Sequence, residues 1–315
     1  MVVRQRPLGK TGLFASELAI GTYGLSGDGY GPVAEEDARK VLERALDLGF
    51  TLVDTCDAYG AGKMERIVGE VTKGKDVVIV TRGGLDRTTD PPRKRFDEEF
   101  LLARIAASQK RLGKDAIDLY LLHNPSADAL AVGGALETMR KAKQKGLVKR
   151  WGVSAGDIDV GRLALEGGAE VISMPYNLFH SRDLHRLAGD VMVARAGVLV
   201  HSVLSYGLFG GDWSKEREFP QGDTRNDRWS RLELEKRIAQ LDAVQYLVHD
   251  DVRSLRAAAV RFALANHLVS SAILGPRTVE QLDQLVRETG AGPRYLPDTD
   301  LAELPRSLER VGIPS

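Results

Sequence analysis

The feature that most restricts this chain is an alternation. A short apolar, partly β-branched run is followed by a stretch with apolar residues at helical spacing, and the unit recurs about eight times between Glu17 and Glu288. Continuous apolar runs of this length suit parallel strands buried on both faces, which need a crossover helix between them. The expected strands are Glu17–Thr22, Phe50–Val53, Val77–Thr81, Ile117–Leu122, Lys149–Val153, Val171–Met174, Val198–Val203 and Ser271–Leu274. The expected helices are Val33–Leu48, Lys63–Thr72, Asp97–Leu112, Ala129–Lys145, Ile158–Glu166, Arg182–Ala194, a pair around Glu233–Leu247 and Asp250–Ala265, and Val279–Glu288. With 315 residues and no break in composition, the pattern predicts an α/β fold: a single (β/α)8 TIM-barrel domain over residues 1–315. Two doubly wound domains are the alternative. Val2–Arg6 and Leu13–Ala15, bracketing Pro7 and Gly9, read as an N-terminal β-hairpin. A polar loop over Gly207–Ser230 and a Pro-rich tail, Tyr295–Ser315, with one short helix complete the reading.

Charge narrows the function classes. The 44 basic and 44 acidic residues cancel, which argues against a general nucleic-acid or acidic-membrane surface and leaves room for a local phosphate site. Cys56 is the only cysteine, so no internal disulfide forms and a reducing compartment fits. Met1–Lys10 lacks an apolar targeting core and no apolar run is long enough to span a bilayer, so a cytoplasmic protein is expected. Oligomeric state is not readable, and no metal is expected.

In a barrel of this kind, chemistry collects at the C-terminal ends of the strands. Those ends read Thr22, Asp54, Arg82, His123, Ser154, Ser173, Ser202 and Gly275–Arg277. Singly, each has a plain reading: Asp54 as a turn cap, Tyr59 as packing, Arg82 as a salt-bridge partner, His123 as a hydrogen-bonded structural imidazole. Brought to one rim, an acid, a phenol, a cation and an imidazole make a proton-transfer site. A phenol is a poor acid near neutrality unless a cation stabilises its phenolate, and Arg82 oriented by Asp54 supplies that field. Two motifs point elsewhere. The glycines of Gly21–Gly27 have the wrong spacing for a dinucleotide fingerprint, and Gly152-Val153-Ser154-Ala155-Gly156 matches a hydrolase elbow without any oxyanion motif beside it.

Over nearly its whole length the chain resembles the aldo-keto reductases, NADPH-dependent barrel enzymes. The matching segments include Arg6–Leu13 with Ile20-Gly21-Thr22, Phe50–Thr55 with Tyr59-Gly60, Val80–Gly84, Asp118–His123, Gly152-Val153-Ser154, Pro175–Leu178, Gly207–Gly211, Pro220–Arg225 and Gly275–Leu282. The resemblance implies a catalytic tetrad at Asp54, Tyr59, Arg82 and His123, with Tyr59 as general acid and with arginine in place of the family's lysine. A planar guanidinium does not present the point charge of an ammonium. It implies NADP as cofactor, held by Gly21, Thr22, Ser154, Ser173, His201, Ser202, Leu204, Gly207, Arg277, Gln281 and Gln284. Ala155, Ser173, His201 and Leu285 stand where the family usually has other side chains. Tyr23, Tyr30, Asn124 and Trp213 are expected to line the pocket for a small carbonyl or sugar-like substrate, and Asp212–Arg231, with Trp213, Arg225 and Trp229, to fold over it. The implied activity is reduction of an aldehyde, ketone or sugar-like carbonyl. A redox-neutral lyase, dehydratase or epimerase, or a cofactor-binding protein without turnover, is the rival on the same barrel.

Overall fold

The computed structural model describes residues 3–132, 134–211, 213–290 and 295–314. Val2 of the expected hairpin, Gly133 of the expected fourth helix, Asp212 of the expected loop and Ser315 of the tail lie outside the described residues.

The eight strands are β1 (Leu18–Gly21), β2 (Leu52–Asp54), β3 (Val78–Gly83), β4 (Ile117–His123), β5 (Val148–Ser154), β6 (Val171–Pro175), β7 (Gly197–His201) and β8 (Ser271–Leu274). Each is parallel to the next in chain order, and β8 pairs with β1 to close the barrel. Successive side chains on a strand point to opposite faces. One set, Ala19, Leu52, Val80, Leu119, Leu121, Val171, Leu199 and Ile273, forms an inner apolar cluster with Leu8 and Ala15. The interleaved set, among them Ile20, Val53, Ile79, Leu122, Ile172 and Val198, packs in the larger cluster shared with the helices. Burying each such side chain contributes about 1.5–3 kcal/mol.

Two residues further along the inward set stand Gly21, Asp54, Arg82, His123, Ser173 and His201. The barrel interior therefore turns from apolar to polar in one step at its C-terminal mouth. At the other end the hairpin Gln5–Pro7 with Phe14–Ser16 closes the floor, placing Leu8 in the inner cluster. That closure needs glycine at position 9, where φ is 55° and a Cβ would stand 2.2 Å from the nitrogen of Gly197.

Some elements differ from the sequence reading. The expected helix over residues 129–145 is two, Ala127–Val132 and Ala135–Gln144, parted where Gly134 adopts φ 66°. Arg182–Ala194 likewise divides into Arg182–Arg186 and Ala188–Ala194. The stretch expected as Glu233–Leu247 is an α-helix, Arg231–Gln240, followed by 3-10 turns over Leu241–Leu247. A small hairpin, Leu85–Asp86 with Arg93–Lys94, rises after β3, and the tail carries a 13-residue helix, Asp298–Arg310. Among the described residues no helix is long and apolar enough to cross a membrane.

Candidate active site

A cleft of about 910 Å³ opens at the C-terminal mouth of the barrel. At its base Arg82 on β3 forms an ion pair with Asp54 on β2, with side-chain exposures of only 5% and 6%. The second nitrogen of the fork, Nη1, donates to Ser154 Oγ at 3.2 Å, and Ser154 Oγ donates to Asn124 Oδ1 at 2.8 Å. Nε of Arg82 has no partner among the described residues. Burial pushes the Asp54 carboxyl up while Arg82 pulls it down, and Asp54 in turn holds the guanidinium firmly protonated.

Tyr59 follows β2 on a tight turn. Gly60 and Ala61 both adopt left-handed backbone, φ 57° and 54°, and the amide of Gly60 donates to Asp28 Oδ2 at 2.7 Å. Ala61, a non-glycine residue held there, stores local strain. The Tyr59 ring packs on Tyr23 with centroids 5.2 Å apart. Burial raises the phenol well above its usual range, and the charge of Arg82 opposes that shift.

His123 ends β4, with Nδ1 3.3 Å from Cys56 Sγ. Burial, reinforced by the charges of Lys94 and Arg82, lowers its basicity well below that of a free imidazole, so the ring is neutral at physiological pH. His201, on β7 across the mouth, is pushed down to about 3 by burial and by Arg82.

The remaining sequence-expected residues fall in three groups. Gly21, Ser154, His201, Ser202, Leu204, Gly207, Arg277, Gln281 and Gln284 line the cleft, as do Tyr23, Tyr30, Asn124 and Trp213. Thr22 and Ser173 are fully buried and do not line it. Thr22 donates its hydroxyl to the carbonyl of Asp54 at 3.0 Å, and Ser173 Oγ has no partner among the described residues. Arg277 precedes the helix Val279–Thr289, donates through Nη2 to the carbonyls of Gly31 and Pro32 at 3.1 and 3.2 Å, and keeps a buried Nε without a partner. The segment 213–230 lies over this side: Trp213 Nε1 donates to Gly207 O at 2.8 Å, and Thr224 bonds Gly29 O through both its amide and its hydroxyl at 2.9 Å.

Sequence reasoning missed Arg87, Arg217, Arg228 and Arg256, all on the cleft. Each sits in a charged stretch indistinguishable from a solvated surface, and only the fold turns it inward. The hydrolase elbow has no support from this geometry, since Ser154 Oγ bonds Arg82 and Asn124 rather than an imidazole.

Residues 17–302 match the family model described as "Aldo/keto reductase family". This chain belongs to that family. It is 28% identical to aldo-keto reductase YhdN of Bacillus subtilis, over 89% of this chain and 87% of that protein. It is 29% identical to D-threo-aldose 1-dehydrogenase of a Pseudomonas species, over 86% and 89% respectively. Among solved structures, glycerol dehydrogenase from Gluconobacter oxydans superposes with a TM-score of 0.82 at 24% identity, covering 100% of this chain and 98% of that one. The aldo/keto reductases are oxidoreductases, and the closed parallel barrel agrees with that membership.

Proposed function

We propose that this protein is a cytoplasmic NADPH-dependent reductase of small aldehydes, ketones or sugar-like carbonyl compounds, working as one barrel domain over residues 1–315 with Tyr59 as general acid. The observation that carries the reading is a phenol beside a buried Asp54–Arg82 ion pair, on the same cleft as a neutral imidazole.

The wall formed by β7, β8 and the helix at residue 279 fits a phosphate-bearing dinucleotide. Arg277 keeps a buried N–H unused at the start of a helix, where a phosphate gains from both the guanidinium and the helix terminus. Ser202 and Gln281 offer further polar groups on that wall. A phosphate at Arg277 is what favours NADP over NAD. When bound, a reduced nicotinamide supplies the hydride that reaches the carbonyl carbon.

The protein's own groups do the rest. Burial keeps Tyr59 protonated at neutral pH, so the phenol holds the proton that the carbonyl oxygen takes up. Arg82, oriented by Asp54, stabilises the phenolate left behind. To donate to the same oxygen, the neutral ring of His123 carries its proton on Nε2 and leaves Nδ1 as the acceptor, 3.3 Å from the Cys56 thiol, which burial keeps protonated and which also reaches the carbonyl of Arg82 at 3.3 Å. The C=O group becomes CH–OH, with the proton drawn from Tyr59 and restored from solvent.

The test is Tyr59→Phe. Turnover is expected to fall by at least about 100-fold, with NADPH still quenching tryptophan fluorescence; full activity in the variant would refute the assigned acid. Titration with NADPH against NADH checks the phosphate argument, and equal affinities would remove it.

A further inference from the structure

Charge in the cleft is one-sided. Among the described residues its lining holds seven arginines and only two carboxylates, Asp28 and Asp54, in a chain with zero net charge. Most of these cations are committed elsewhere. Arg82 pairs with Asp54, Arg225 with Asp223 and Arg256 with Glu288. Arg277 gives Nη2 to the carbonyls of Gly31 and Pro32 and belongs to the wall proposed to hold the dinucleotide phosphate, and Arg228 lies over the Tyr206 ring, 3.4 Å from its centroid.

Arg87 differs in place and in bonding. It stands on the hairpin after β3, between the β2 and β4 ends that carry Tyr59 and His123, and across the barrel from β7. It has no carboxylate partner among the described residues. One nitrogen, Nη1, donates to the carbonyl of Ala58 at 2.6 Å, which pins an otherwise exposed side chain into the mouth, at the residue directly before Tyr59. The Nε and Nη2 edge stays free, and that edge carries the two parallel N–H groups that match a carboxylate or phosphate. Ala58 and Leu85 line the cleft beside it and offer apolar contact to a short methylene linker.

We infer that the substrate carries an oxyanion, a carboxylate or phosphate monoester, a few carbons from the reduced carbonyl, and that Arg87 is the residue that selects it. This rests on the proposed carbonyl reduction for its kinetic reading only. The anchor is a binding site in its own right, so it can be tested without turnover.

Two matched pairs of aldehydes separate charge from shape: succinic semialdehyde against butanal, and glyceraldehyde 3-phosphate against glyceraldehyde. The wild type is expected to favour the charged member of one pair at least tenfold in kcat/KM, and the pair in which it does so tells carboxylate from phosphate. In Arg87→Gln that preference should collapse to about twofold or less, mainly through KM, and Arg87→Lys should restore part of it. A preference near one in the wild type, or the same preference in wild type and Arg87→Gln, overturns the inference. Calorimetric titration of the NADP-loaded protein with succinate and with glycerol 3-phosphate gives the second readout. At least tenfold weaker binding of one of them to Arg87→Gln supports the anchor even if no aldehyde is reduced, in which case the reductase reading alone fails. Absence of binding to the wild type, or equal binding to both proteins, overturns the anchor.

Discussion

Cys56 Sγ and His123 Nδ1 stand 3.3 Å apart beneath the cleft, joining the β2–α loop to the end of β4. The contact has a consequence for protonation. Because burial holds His123 well below its usual basicity, the ring is expected to remain neutral throughout the physiological range, with its proton on Nε2. Nitrogen-15 spectra of labelled histidine at pH 6–8 check this. An imidazolium signal would refute the neutral ring, and a neutral ring with its proton on Nδ1 would remove His123 as a donor to the carbonyl.

The Asp54–Arg82 pair is almost wholly shielded from water. Removing one charge leaves the other buried without compensation, which costs about 3–5 kcal/mol. Asp54→Asn is therefore expected to lower the urea midpoint by that equivalent and to reduce turnover together with it. A double variant, Asp54→Leu with Arg82→Met, should recover stability and stay inactive. Stability of the single variant within about 1 kcal/mol of wild type would mean the pair is better solvated than its burial implies.

Much of this site was legible because strand periodicity fixes it. Asp54, Arg82 and His123 end apolar runs in the sequence, and the barrel sets each two residues beyond an inward side chain, Leu52, Val80 and Leu121. The hairpin bearing Arg87 was not legible, since its strands are two residues each and show no alternation. The helix expected in the tail runs to 13 residues, longer than its sequence suggested, because Pro297 at its cap and Pro305 within it read as breaks. Gly134 fell inside a single expected helix, and its left-handed backbone shows that a second helix, Ala135–Gln144, starts there. Thr22 and Ser173 show the limit of listing strand ends, because both are fully buried and neither lines the cleft.

Two groups, His201 on the cleft and the buried Asp57, make stability depend on pH in opposite senses. His201 is pushed down to about 3, so between its free value near 6.5 and that point the unfolded chain binds a proton the folded chain does not. Stability therefore falls as pH drops, and His201→Gln should flatten the loss between pH 7 and 5 by on the order of 1–2 kcal/mol.

Asp57 behaves the other way, since burial raises it from an ordinary 3.8 to about 6 and Glu65 adds to the shift. Between those values the folded chain holds the extra proton, so stability falls as pH rises through that window. Asp57→Asn is expected to stabilise the protein above pH 7 by up to about 3 kcal/mol and to have little effect at pH 4. Denaturation midpoints at the two pH values check it, and an equal change at both would refute the titration.

The segment over the cleft should open as a unit. Thr224 bonds Gly29 O through its amide and its hydroxyl, and Arg225 pairs with Asp223 while lying 5.0 Å from the Tyr30 ring centroid. These contacts join residues 223–225 to the loop after β1 and to little of the core, so their loss should act locally. Thr224→Val removes only the hydroxyl bond, a contribution of about 0.5–1.5 kcal/mol, which corresponds to roughly a two- to tenfold rise in the open population. Proteolysis between residues 213 and 230 is expected to quicken by that factor under native conditions, with the global melting temperature held. Arg225→Ala, which loses an ion pair and ring contacts together, should exceed it. If cleavage were unaltered in both variants, or if the whole barrel destabilised with them, the segment would be an integral part of the fold rather than a strap latched at Gly29.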